Sequence, residues 1–110
     1  MNALLRHYVV DVEHPDVSGF EHLEMLQIRS QLAELEATLY PRERACLDAA
    51  DCRLLQQAAA FHAALARITN LAEERARRQP PPSHWWWYLD VLVQLPTPPV
   101  QPAEMEPVLV

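Results

Sequence analysis

Three groups of residues in this 110-residue chain carry side chains with chemical potential. The first is Asp11, Glu13, His14, Asp16, Glu21, His22 and Glu24, crowded into fourteen residues. Carboxylates at this density suit a hard cation, and the two histidines would suit a transition metal. The spacing fits no metal motif, however: there is no HExxH, no EF-hand loop and no CxxC. Acids beside a helix start are also favoured by the helix dipole alone. That plainer reading is the stronger, so no metal, cofactor or catalytic residue is assigned. The competing reading is a small enzyme or ligand-binding helical-bundle dimer with its site near residues 11–24.

The second group is His62, Cys46 and Cys52. His62 stands beside an apolar helical stripe and next to Phe61, where a buried histidine with one hydrogen bond is expected. A general base would need a carboxylate or nucleophile within reach. The cysteines lie six residues apart on a predicted helix. A rise of about 9 Å is more than a disulfide spans. They are expected to be buried or half-buried free thiols in a reducing cytoplasm. Residues 1–10 lack the apolar core of a signal peptide. The longest apolar run, Trp85–Leu89, is far short of the ~20 residues of a spanning helix.

The third group joins Arg67, Arg75, Arg77 and Arg78 to Trp85, Trp86, Trp87, Tyr88 and Leu89. Arginine and tryptophan together could stack single-stranded nucleic acid. A net charge of −6, with nine Arg and no Lys, repels phosphate backbones and argues against that partner. The arginines read instead as complements to the negative end of a helix dipole. The absence of Lys reads first as a coding bias and second as a preference for bidentate pairing. Trp85 to Leu89 form the expected interaction surface, because neither helix nor strand geometry turns three adjacent Trp onto one face. Peripheral membrane contact through the same cluster is disfavoured by the missing Lys and by Asp90.

The elements that must position these groups are helical. One Gly and ten Pro, most of the Pro at 80–82 and from 96 onward, argue against a turn-rich β fold. Leu47, Leu54, Ala58, Phe61, Leu65, Ile68 and Ala72 form one stripe in a long helix over 41–78, broken only by Asp51. Met25, Ile28, Leu32, Leu35 and Leu39 mark a shorter helix entered through Ser18 and Glu21, in the form of a capping box. Tyr40-Pro41 joins the two, with Pro41 suited to a first helical position. So short a connection implies an antiparallel hairpin. Thr69-Asn70, followed by Glu73, is a candidate cap and kink.

Residues 3–12, with β-branched and aromatic side chains, read as extended. Residues 83–95 read as a short aromatic helix packing back over the distal end of the long one. The fold class is therefore mainly α: a single helical domain over 1–96 and a Pro-rich extended tail over 97–110. The tail carries Pro96-x-x-Pro99 and Pro99-x-x-Pro102, a polyproline pattern of low specificity. The function that fits is a small non-enzymatic protein–protein interaction module, a homo-oligomer (dimer) or a partner of another protein.

Overall fold

The computed structural model describes residues 2–95. The tail expected over 97–110, with its polyproline matches, lies outside the described residues. All regular structure in the described residues is helical: α1 (Ala3–Asp11), α2 (Gly19–Ala33), α3 (Pro41–Gln56), α4 (Ala58–Ala66), α5 (Leu71–Arg78) and α6 (Leu89–Leu92). Two 3₁₀ segments, Glu36–Thr38 and Trp85–Tyr88, complete the order. Among the described residues no helix is long and apolar enough to cross a membrane.

The extended N-terminus expected from composition is corrected to a helix. Asn2 Oδ1 accepts from the Leu4 and Leu5 amides at 2.7 and 3.2 Å, an N-cap that the sequence reading passed over. Ala3, Leu4, Leu5 and Arg6 are good helix formers and outweigh Val9 and Val10. Leu5 and Tyr8 then fall on one face and are buried.

Ser18 Oγ accepts from the Glu21 amide at 3.3 Å, and α2 begins at Gly19. It stops at Ala33, short of the expected Leu39, so Leu35 and Leu39 are only half-buried while Leu32 is fully enclosed. Pro41 opens α3. The Tyr40 amide donates to Glu43 Oε1 at 3.0 Å and the Asn2 amide to Oε2 at 3.1 Å. One carboxylate thus anchors the starts of two helices. The Tyr40 and Asn2 amides together hold it below the usual carboxylate range.

The long helix over 41–78 is corrected to three. Gln57 (φ −108°, ψ 20°) separates α3 from α4, and Asn70 caps α5 by accepting from the Glu73 amide at 3.1 Å. A straight rod of that length, roughly 55 Å, would overrun any partner in a chain this small. Once broken, α3 packs against α1 and α4 packs against α2. Beyond the second break the apolar stripe moves: Leu71 and Glu74 turn inward, while Ala72 is exposed.

Contacts give the chain directions. Gly19 abuts Ala64 and Ile68, His22 meets Phe61, and Arg29 meets Asp51, so α2 runs opposite to α3 and α4. Asn2 meets Glu43, Tyr8 meets Asp51, and Glu13 meets Arg53, so α1 runs alongside α3 in the same sense. The C-terminal segment closes the distal end, with α6 against α4 and α5, and Trp85–Tyr88 against α2 and α5. α5 ends on Gln79 in the left-handed region (φ 48°), after which Pro80-Pro81-Pro82 redirect the chain.

Gly19 is the sole glycine, and close approach explains it. A Cβ there would lie 2.4 Å from the Ala64 carbonyl oxygen and 2.9 Å from Ile68 Cγ1. Because the obstacle is backbone, α2 and α4 would have to separate. Gly19→Ala is expected to destabilise by roughly 1–3 kcal/mol, despite the better helix propensity of Ala. A urea melt in which the variant is as stable as wild type would show that the two helices are free to spread.

Candidate functional site

Two neighbours on α2, Arg29 and Ser30, organise the polar interior. Arg29 is only 4% exposed. Its Nε donates to Asp51 Oδ1 and its Nη2 to Oδ2, both at 2.9 Å, a bidentate fork. Nη1 stands 2.9 Å from Glu36 Oε2, an ionic contact without a well-directed hydrogen bond. Tyr8 Oη donates to Asp51 Oδ1 at 2.6 Å. The guanidinium carbon lies 4.2 Å from the Trp86 ring centroid and 5.9 Å from that of Tyr8. Burial opposes the Arg29 charge, yet the Asp51 fork and the Glu36 contact more than offset it and raise its pKa. Burial first, and then the Asp51 charge, drive the Tyr8 phenol far above its ordinary range. Asp51, the one break in the apolar stripe, is therefore the anchor of this ion pair.

Ser30 Oγ accepts from the indole N–H of Trp86 at 3.0 Å and of Trp87 at 2.9 Å. His84 Nδ1 lies 3.1 Å from the same oxygen. A hydroxyl has two acceptor positions and one proton. With both positions taken by indoles, the proton goes to Nδ1, which fixes His84 as the neutral tautomer protonated on Nε2. The His84 ring stacks on Trp86 at 4.6 Å between centroids. Burial, followed by the Arg29 charge, lowers the His84 pKa. A Ser–His contact has the outline of a nucleophile and its base. Here two indole protons already draw on the oxygen's lone pairs, and the imidazole is a weakened base. The arrangement fastens the aromatic segment to α2.

A second set of contacts fastens the other side. Arg75 Nη1 donates to the Trp87 carbonyl at 2.8 Å and to Asp90 Oδ1 at 2.6 Å, and the guanidinium lies 4.4 Å from the Tyr88 ring centroid. Arg78 lies 5.1 Å from the Trp87 centroid and donates to Glu74 Oε1 at 2.8 Å. Glu74, 3% exposed, also takes Arg77 and the Thr69 hydroxyl, each at 2.6 Å. Burial alone would raise its carboxyl, but Thr69, Arg78 and Arg77 bring it down to about 2. The α5 arginines that read as helix-dipole complements thus do more: Arg75 and Arg78 pair, within the chain, with aromatics of the segment expected to form the outward surface.

Of the expected interaction surface, Trp86 (2% exposed), Trp87 (3%) and Leu89 (0%) lie in the core, while Trp85 and Tyr88 are half-buried. The burial of adjacent tryptophans has a geometric cause. A 3₁₀ segment turns about 120° per residue and this one sits between α2 and α5, so two walls receive the rings instead of one face.

Of the acidic and histidine cluster, Asp11 stays within electrostatic reach of Glu21, Glu24 and His22, while other members pair elsewhere. Asp11 faces His7 at 3.4 Å, and Glu13 pairs with Arg53 at 2.9 Å. Burial raises the Asp11 carboxyl; His7 offsets part of this, and Glu24 and Glu21 add to it. His22, 1% exposed, donates from Nε2 to the Pro15 carbonyl at 3.1 Å and meets Phe61 edge-on at 4.5 Å. Among the described residues no three His, Cys, Asp or Glu side chains are grouped to hold a metal ion. The buried histidine expected at 62 is in fact His22. His62 is half-buried in a cleft of about 420 Å³ with Thr69, Asn70, Leu71 and Asp90. Cys46 is half-buried and Cys52, against expectation, is exposed; both are free thiols.

Sequence reading missed Arg29 and Ser30. The signal lay in two misfits of opposite sign, Asp51 in one apolar stripe and Arg29 between Ile28 and Leu32 in the other. No protein-family model matches the chain, and neither the curated proteins nor the solved structures give a match.

Proposed function

We propose that this chain is a non-enzymatic protein–protein interaction module that pairs with a second copy of itself through the outer side of its C-terminal segment. The observation that carries the reading is the two-sidedness of residues 85–95. Their inner side is locked into the core by Ser30, Arg75 and Arg78, while apolar groups remain on the outer side. Val91 is 43% and Leu95 56% exposed, and Trp85, Tyr88 and Leu92 are half-buried. Exposed apolar side chains within one short stretch favour an interface over a random surface. Symmetric dimers are the commonest way to cover such a patch. The engagement of Ser30 and Glu74 by hydrogen bonds, and of Arg29 by its Asp51 fork and Glu36 contact, supports a structural role over a catalytic one for these groups.

Sedimentation equilibrium tests this reading. Wild type is expected to dimerise at micromolar concentration. Val91→Glu and Leu95→Glu are expected to shift it to monomer while leaving the melting curve of the monomer within about 0.5 kcal/mol, since both sites are on the surface. A wild type that remains monomeric at high micromolar concentration would remove the proposal.

A further inference from the structure

We propose that His84 makes the aromatic clasp a proton-operated switch: a proton added at Nδ1 breaks the shared contact at Ser30 and loosens the hold on Trp86 and Trp87. The argument rests on counting donors and acceptors at one oxygen. Ser30 Oγ receives Trp86 Nε1 at 3.0 Å and Trp87 Nε1 at 2.9 Å, leaving it no acceptor position. Its single proton points to His84 Nδ1 at 3.1 Å. Nε2 already holds the ring's proton, so protonation can occur only at Nδ1. Imidazolium would set an N–H against an O–H, with no lone pair between them. The contact must open, or one indole must give up its place on Ser30.

Charge acts in the same direction. The groups facing His84 are Arg29 on α2, Glu34 at the C-cap that follows it, Glu36 on the 3₁₀ turn, and Arg78 at the end of α5. Glu36 is engaged by Arg29 and Arg44, and Arg78 by Glu74. Arg29 and His84 both lie against Trp86, at 4.2 and 4.6 Å from its centroid, so a second cation would share one indole with a buried guanidinium. Burial and Arg29 outweigh Glu34 and Glu36, and the folded His84 sits below the ordinary histidine value near 6.5. The folded clasp therefore binds fewer protons than the released segment. Its strength is complete above pH ~6.5 and declines as pH falls below that value.

The test uses tryptophan emission and iodide quenching of the full chain in dilute solution, from about pH 7.5 to about pH 5. Wild type is expected to shift to the red and become quenchable over this range, with far-ultraviolet dichroism retaining its helical signal. In His84→Gln the side-chain carbonyl still accepts the Ser30 proton but cannot titrate, so its emission should stay constant. A flat wild-type profile, or a His84→Gln profile with the wild-type midpoint, would overturn the switch. Nitrogen chemical shifts of the wild-type imidazole test it without mutation: Nδ1 should be unprotonated at neutral pH, and a protonated Nδ1 there is incompatible with the proposal. These readouts concern the monomer, so they stand whether or not the chain self-associates.

Discussion

Replacing Asp51 with alanine is expected to lower the unfolding free energy by about 3–5 kcal/mol, the usual result of removing one partner from a buried ion pair. Arg29 has a side chain only 5% exposed, and its Asp51 partner is 17% exposed. Truncation would leave that guanidinium with Glu36 alone. It would also strand the Tyr8 hydroxyl, which donates to Asp51 at 2.6 Å. Most of the loss comes from the desolvated charge left behind, not from the attraction removed. The double variant Arg29→Met with Asp51→Leu removes both charges and keeps volume. It is therefore expected to recover much of the loss, and the two single variants to be grossly non-additive. Urea melts of the four proteins check this. An Asp51→Ala protein within about 0.5 kcal/mol of wild type, the range of ordinary surface changes, would mean that the pair is effectively solvated.

Trp86→Ala should cost a similar amount, about 3–5 kcal/mol, for a different reason. It opens a void where an almost wholly buried indole packs and withdraws the faces that Arg29 and His84 use. Trp86→Phe separates the contributions. It keeps most of the packing and loses one hydrogen bond to Ser30, for about 1 kcal/mol plus a small packing defect. Trp85, half-buried with its ring edge-on to Trp86 at 5.5 Å, should be the mildest site of the three. Equal losses on truncating Trp85 and Trp86 would contradict the division of this segment into an inner and an outer side.

The parts of the fold that were legible beforehand are those written in local chemistry. Ser18, Pro41 and Asn70 each mark a helix start through a side chain or ring that acts within a few residues, and each helix begins where they indicate. Asn2 belongs to the same class, but its signal competes with the β-branched Val9 and Val10, which favour strand. The break at Gln57 is different in kind. No Pro or Gly stands there, and the interruption serves tertiary packing, letting α3 and α4 meet different partners. The 3₁₀ path of Trp85–Tyr88 follows neither helical nor strand periodicity, so counting faces on those templates misplaced the tryptophans. The polar interior was half visible. Asp51 showed as a flaw in a stripe, but its meaning depended on Arg29, Tyr8 and Glu36, which three other segments bring to it.

The clasp at Ser30 also dictates an order of events during synthesis. Its three partners, His84, Trp86 and Trp87, lie 54, 56 and 57 residues downstream, whereas Arg29 finds Asp51 only 22 residues on. A growing chain emerges from its N-terminus. The ion pair can therefore close while the tryptophans are still unmade, and the guanidinium is already in place as a landing face when they arrive. Until then the faces of α2 and α5 that receive the tryptophans have no cover, and a ribosome that stalls before residue 84 would release a chain open on that side. Among the described residues, the last helical ones to be translated are those that seal the core.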